Sequence, residues 1–254
     1  MSALSFKTPK SGNASGTNIF AGAVVEKRTS QCRLYEHRAL FASPAKPSSL
    51  LFGGVGGSLL EKVRKNKVDM DRKRKYCFQT ISGMEYLETQ QVIHRDLAAR
   101  NCLINASDVC KISDFGLSLL GRLHKEKHMV KVPIRWLAPE TLKQGTYSNK
   151  SDVWSCGVLM FEVFTNGEIP YKEVQALRDV RKKVIGGLRL KPPLDMPAED
   201  AAIMLLCFET EPLARASFAE LKARFCMKRT TVQSMNGHRY REVVAMGKKD
   251  LDDI

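Results

Sequence analysis

Apolar residues recur along this chain in two rhythms, and the change between them falls near residue 58. Residues 1–18 are rich in Ser, Gly, Asn and Lys, too polar to bury a core, and are expected to be disordered. Between residues 19 and 57, short apolar pieces at 21–25 and 50–52 flank a Pro- and Ser-rich break at 43–49, so a few strands are expected. From residue 58 the spacing is helical. Ser58, followed three positions later by Glu61, is a capping box that predicts a short helix to about Lys67. Cys77, Ile81, Met84 and Leu87 lie on one helical face and predict a helix over 70–89. Two apolar pieces within 102–112 flank a polar turn at 105–108 and predict a hairpin. Residues 152–165 are apolar almost all round, the pattern of a helix buried in mid-domain. Further helices are expected at about 173–185, 199–208 and 217–227, followed by a polar tail over 228–254.

Composition narrows the class. The chain has 254 residues, 43% apolar and 27% charged, the make-up of a globular domain of ordinary size. Its longest apolar run, 201–208, is too short to cross a bilayer. Net charge is +14, from 41 Lys and Arg against 27 Asp and Glu. Such a balance suits nucleotide phosphates, acidic peptides or other polyanions, and is equally the signature of a solvated basic surface. Aromatic residues make up 7% and fall mostly at core positions, so nucleic acid is not an expected partner. Seven cysteines with no C-x-x-C pair indicate neither zinc nor a redox dithiol, and fit the reduced thiols of a cytoplasmic protein.

The most informative segment runs His94, Arg95, Asp96, Leu97, Ala98, Ala99, Arg100, Asn101. Asp114, Phe115 and Gly116 begin 18 residues after Asp96, and Ala138, Pro139 and Glu140 follow a further loop. Taken one at a time, Asp96 or Asp114 could be an ordinary turn or cap residue. In this order and at this spacing, with Asp152, Trp154, Gly157 and Arg215 beyond them, the motifs resemble the catalytic loop, metal-binding motif and activation-segment end of protein kinases. The resemblance covers residues 56 to about 226. It implies an α+β, protein-kinase-like fold, with a mostly helical large lobe over 58–227 and an incomplete β-rich small lobe and hinge over 19–57.

The resemblance also implies roles. Asp96 would orient the attacking hydroxyl and take its proton, with Arg100 hydrogen-bonding beside it. Asn101 and Asp114 would hold Mg²⁺, a hard cation that favours such oxygen ligands. Leu103 would form an apolar floor for the adenine of ATP. His94 and Phe115 would pack and steady the two loops. Glu140 with Arg215 would form a buried ion pair, and Asp152 would accept hydrogen bonds from the catalytic-loop backbone. Ala98 to Arg100, and Val132 to Trp136 with Pro133 as a platform for a tyrosine ring, are similar to tyrosine kinases, and Gly56 to Leu60 to non-receptor kinases of the Fer/Fes type. The implied reaction is transfer of the ATP γ-phosphoryl group to tyrosine hydroxyls of protein substrates. Phe208 stands where such kinases usually carry Trp, and Ala216 where Pro usually follows the arginine.

The small lobe departs from the pattern. Gly53 to Gly57 reads as a linker rather than a glycine-rich phosphate loop, and the spacing from Gly116 to Gly121 lacks the lysine of a P-loop. Lys27, in an imperfect match to the strand-lysine motif, is the candidate ATP-binding lysine, with no room for a partner glutamate helix before Leu34. These gaps leave an alternative open, a pseudokinase-like binding module. The activation segment, 114–140, has no tyrosine for phosphate to order. Its six Lys, Arg and His residues between 122 and 131 surround a single acid, Glu126, and favour substrates with acidic flanks, unless they are simply an exposed basic loop.

Overall fold

A computed structural model of the chain describes residues 55–65, 68–126 and 132–235, with side chains described no further than residue 226. The expectations for residues 1–54, Lys27 among them, and for 236–254 lie outside the described residues. The described residues are α+β: seven helices and seven short strands in three antiparallel sheets.

Strand β1 (Val55–Ser58) leads directly into α1 (Leu59–Lys65). The predicted capping box is present: Glu61 N donates to Ser58 Oγ at 3.2 Å, and Ser58 N to Glu61 Oε2 at 3.4 Å. Part of the expected glycine linker is thus strand, because it pairs with a later hairpin and Gly57, at φ +88, turns the chain into α1. Helix α2 (Met70–Thr89) has the predicted limits, with the Asp69 side chain accepting from Arg72 N at its start. Cys77, Ile81, Met84 and Leu87 are all fully buried, as their spacing requires.

Strand β2 (Val92–Ile93) enters the loop from His94, which closes in a 3₁₀ turn at Ala99–Asn101. The predicted hairpin follows as β3 (Cys102–Asn105) and β4 (Cys110–Ile112), with β1 on the outer edge of β3. Cys102 and Ile104 face inward while Leu103 and Asn105 stay half-exposed, the two-residue alternation of a sheet covered on one side. Strand β5 (Leu119–Leu120) returns to pair with β2. Strand β6 (Leu123–Lys125) pairs with β7 (Thr146–Ser148), which follows helix α3 (Pro139–Gln144).

Helix α4 (Asn149–Phe164) is the axis of the domain. Ser148 and Ser151 cap it reciprocally, and 13 of its 16 residues are buried. Helices α5 (Leu177–Ile185), α6 (Ala198–Leu206) and α7 (Phe218–Met235) complete the fold. A Cβ on Gly157 would lie 2.6 Å from Cys207 Cβ and 2.9 Å from the Phe208 ring, so only glycine allows α4 and the end of α6 to approach this closely. Trp154 meets Phe208 edge-on at 5.0 Å, so the phenylalanine found in place of tryptophan still packs.

Three helix limits differ from expectation by three residues or more, the first being that α4 begins at Asn149 rather than 152, where Ser148 caps it. α5 begins at Leu177 rather than near 173, because carbonyls of residues 170, 171, 174 and 175 are taken by the Arg135 guanidinium at 2.7–3.4 Å instead of by a helical ladder. α7 runs to Met235 rather than 227. It starts at a second capping box, Ser217 with Glu220, and meets no Gly or Pro before Gly237.

Candidate active site

The loop from His94 to Asn101 owes its shape to side chains far away in sequence. Both oxygens of buried Asp152, at the start of α4, accept backbone N–H groups of that loop: His94 N at 2.7 Å and Arg95 N at 3.0 Å. These bonds hold Arg95 at φ 70, a left-handed conformation that a non-glycine residue adopts only when its surroundings impose it. At the loop's other end, buried Glu162 accepts Ala99 N at 2.9 Å and Trp136 Nε1 at 3.0 Å. Sequence reasoning missed Glu162. The available signal was an acid ten residues past Asp152, in the apolar stretch of the same helix, a group rarely buried without a task.

His94 is fully buried and stacks edge-on against Phe115 at 5.2 Å. Its Nε2 meets Ser113 O at 3.1 Å, and Asp96 N donates to its Nδ1 at 3.3 Å. An accepting Nδ1 carries no proton, so the ring is the neutral Nε2–H tautomer. Burial pushes its pKa down to about 4, in agreement. His94 therefore joins the loop to the residues between β4 and Asp114, as a neutral ring at neutral pH.

Asp96 is partly buried, and both its oxygens are engaged. Arg100 Nη2 donates to Oδ1, and Asn101 Nδ2 to Oδ2 at 2.8 Å and to the Asp96 carbonyl at 2.8 Å. Burial raises the Asp96 pKa above the usual carboxylate range, Arg100 and Asn101 pull it back, and the nearby Asp114 charge raises it further. The Arg100 guanidinium itself lies over the Trp136 ring, 4.6 Å from its centroid.

Asn101 and Asp114 are brought together by one carbonyl. Ser113 N and Oγ both donate to Asn101 O, at 2.9 and 2.8 Å. Asp114, the next residue, takes a left-handed conformation (φ 61, ψ 67) with its carboxylate exposed. Because Asn101 turns its Nδ2 toward Asp96, its Oδ1 remains as the free end of the amide. An amide oxygen and a carboxylate, both hard donors, fit a magnesium ion that draws its other ligands from phosphates and water. Among the described residues no three His, Cys, Asp or Glu side chains converge as a site for a softer metal.

Asp96, Arg100 and Asn101 thus share one hydrogen-bonded network, and Ser113, bonded to Asn101 O, places Asp114 next to it in sequence. Leu103 lies apart on the outward face of β3, opposite Ser58 of β1, and Lys27 is outside the described residues. Residues 132–136 carry the half-buried Pro133 and are pinned by Arg135 to the loop after α4. Beneath them Glu140 and Arg215 form the expected pair, with two bonds of 2.8 and 3.1 Å.

The family model described as "Protein tyrosine and serine/threonine kinase" matches residues 50–225. Human tyrosine-protein kinase Fer is 40% identical over 171 residues, covering 66% of this chain and 21% of that protein. The megakaryocyte-associated tyrosine-protein kinase of Rattus norvegicus is 43% identical over 146 residues, covering 58% of this chain and 31% of its own length. Human tyrosine-protein kinase Srms is 42% identical over 151 residues, covering 59% and 31%. The chain therefore spans between a fifth and a third of the length of these relatives.

Proposed function

This chain belongs to the family of protein tyrosine and serine/threonine kinases, and from that premise we propose that it transfers the γ-phosphoryl group of ATP to tyrosine hydroxyls of protein substrates. The observation that carries the reading is the hydrogen-bonded network of Asp96, Arg100 and Asn101, to which Ser113 ties the chain just before Asp114. Phosphoryl transfer asks a protein for positioning and charge more than for covalent chemistry. Asp96, aimed by Arg100 and Asn101, orients the tyrosine hydroxyl and accepts its proton as oxygen attacks the γ-phosphorus and the bond to the β-phosphate oxygen breaks. Asn101 Oδ1 and the Asp114 carboxylate are the groups that would hold magnesium, whose chemistry is to offset the phosphate charge. Leu103 offers an apolar face to the adenine, and Lys27 is the candidate contact to the phosphates. Pro133, braced by Arg135, offers a flat surface to the tyrosine ring.

The tyrosine class rests on the Ala98–Arg100 and Val132–Trp136 segments and on relatives that are named tyrosine-protein kinases. Cationic Arg122 and Lys125 are exposed on the activation segment, which favours substrates with acidic flanks. Free thiols at all six described cysteines go with a cytoplasmic location, and no described helix is long and apolar enough to cross a membrane.

The test is Mg-ATP phosphotransfer to a tyrosine copolymer by the full chain, with Asp96→Asn alongside. Incorporation that disappears in the variant supports the proposal, and incorporation unchanged by it refutes the role of Asp96. A second reading, a nucleotide-binding or scaffolding module without turnover, is favoured by the missing match to a glycine-rich loop. It predicts no phosphotransfer, and a thermal shift with Mg-ATP separates binder from scaffold.

A further inference from the structure

Between Phe115 and Pro139 the activation segment holds one acid, Glu126, and no tyrosine. Glu126 Oε2 meets Arg95 Nη2 at 2.5 Å, whereas its contact with His124 is a longer 3.6 Å. Arg95 directly precedes Asp96. Its guanidinium lies over the Tyr147 ring at 4.2 Å, its side chain is only 12% exposed, and its Nε is buried with no hydrogen-bond partner. A cation so far withdrawn from water needs an anion, and Glu126 supplies it.

Both ends of this pair are fixed independently. Arg95 is held through its backbone by Asp152 at 3.0 Å. Glu126 is held through its own backbone, with its N donating to Gly145 O at 2.9 Å just past the β6–β7 ladder. Gly145, at φ +69, is needed for that approach: a Cβ there would lie 2.2 Å from Glu126 O. Arg95 lowers the Glu126 pKa, so the carboxylate stays ionised at neutral pH.

We propose that Glu126 is a positioning residue, a permanent anion that ties the activation segment to the catalytic loop through Arg95. It takes the place that a phosphate added to the segment would otherwise fill. A phosphoryl group brings a charge of about −1.5 to −2 and can be removed by a phosphatase; the carboxylate brings a single charge and cannot. The described part of the segment up to Glu126 is therefore tied down without modification. The consequence for turnover rests on the kinase reading above; the tie itself does not.

The experiment uses the full chain and the variants Glu126→Gln, Glu126→Asp and Glu168→Gln, the last removing an exposed ion pair with Lys172 as a control. Tryptic cleavage after Lys125 is followed by mass spectrometry, each rate normalised to the same bond in a synthetic peptide. Cleavage of Glu126→Gln should be about tenfold faster than wild type, Glu126→Asp intermediate, and Glu168→Gln unchanged. In parallel, Glu126→Gln should lower kcat for the tyrosine copolymer with KM for ATP held, while phosphatase treatment leaves the wild type unaffected. Wild-type cleavage rates in Glu126→Gln, or wild-type activity lost to phosphatase, would overturn the proposal. Should no protein in the set phosphorylate the copolymer, the kinase reading fails, and the cleavage rates still decide the tie.

Discussion

Arg215 offers a sharp test of how the domain is held together. Its side chain is 0% exposed and Glu140 is 13% exposed. Replacing Glu140 with Leu removes both acceptors of the paired bonds, at 2.8 and 3.1 Å. The stranded guanidinium keeps Lys150 O at 2.6 Å, Glu209 O at 3.0 Å and the Trp154 ring at 5.3 Å, none of which carries a full negative charge. Breaking one side of a buried pair in this way costs about 3–5 kcal/mol. Domains have only about 5–15 kcal/mol in total, so the loss is a large share of the whole. With a slope of about 2–3 kcal/mol per molar, the urea midpoint should fall by about 1–2 M. The control Glu168→Gln, in a pair 55% and 44% exposed, should cost under about 1 kcal/mol. In the full cycle, Glu140→Leu with Arg215→Met should cost well under the sum of the single variants, because the second change removes the stranded charge. If Glu140→Leu costs less than about 1 kcal/mol, or the single costs simply add to within about 0.5 kcal/mol, the reasoning is refuted.

Other outcomes follow from the same geometry. His94 and Asp152 pull stability in opposite directions with pH. His94 titrates at about 4 in the fold against 6.5 ordinarily, so its contribution is complete above 6.5 and fades as pH falls toward 4. Asp152 titrates at about 7 in the fold against 3.8 ordinarily, so its contribution is complete below 3.8 and fades as pH rises through 7. The two are worth about 3 and about 4 kcal/mol and nearly cancel. Relative to wild type, denaturation midpoints should therefore rise more steeply with pH between 4 and 7 in Asp152→Asn and fall more steeply in His94→Phe; wild-type slopes in both variants would falsify the linkage. Arg100→Gln should move the acidic limb of the phosphotransfer pH profile upward, because burial then raises the Asp96 pKa with less opposition. Gly157→Ala should destabilise by about 1–3 kcal/mol in urea melts through overpacking, since its Cβ would meet Cys207 at 2.6 Å. A cost below about 0.5 kcal/mol would mean that α4 and the end of α6 part easily.

Much of this molecule is legible from short stretches of chain. The capping box at Ser58 and Glu61, the apolar face of α2, the hairpin around residues 105–108 and the buried α4 all arise from interactions spanning a few residues, so pattern and composition suffice. The motif residues Asp96, Asn101 and Asp114 were likewise visible, since their order and spacing are linear facts. Features set by distant partners were not. Arg135 delays α5 by capturing carbonyls some 35 to 40 residues away. Glu162 supports Ala99 from 63 residues on, and Arg95 finds its anion 31 residues downstream. Gly53 to Gly57 read as a linker because the strand it partly forms exists only through β3, more than 40 residues later. Local chemistry is written in neighbours, whereas a buried charge or an unpaired strand edge takes whichever partner the folded chain delivers.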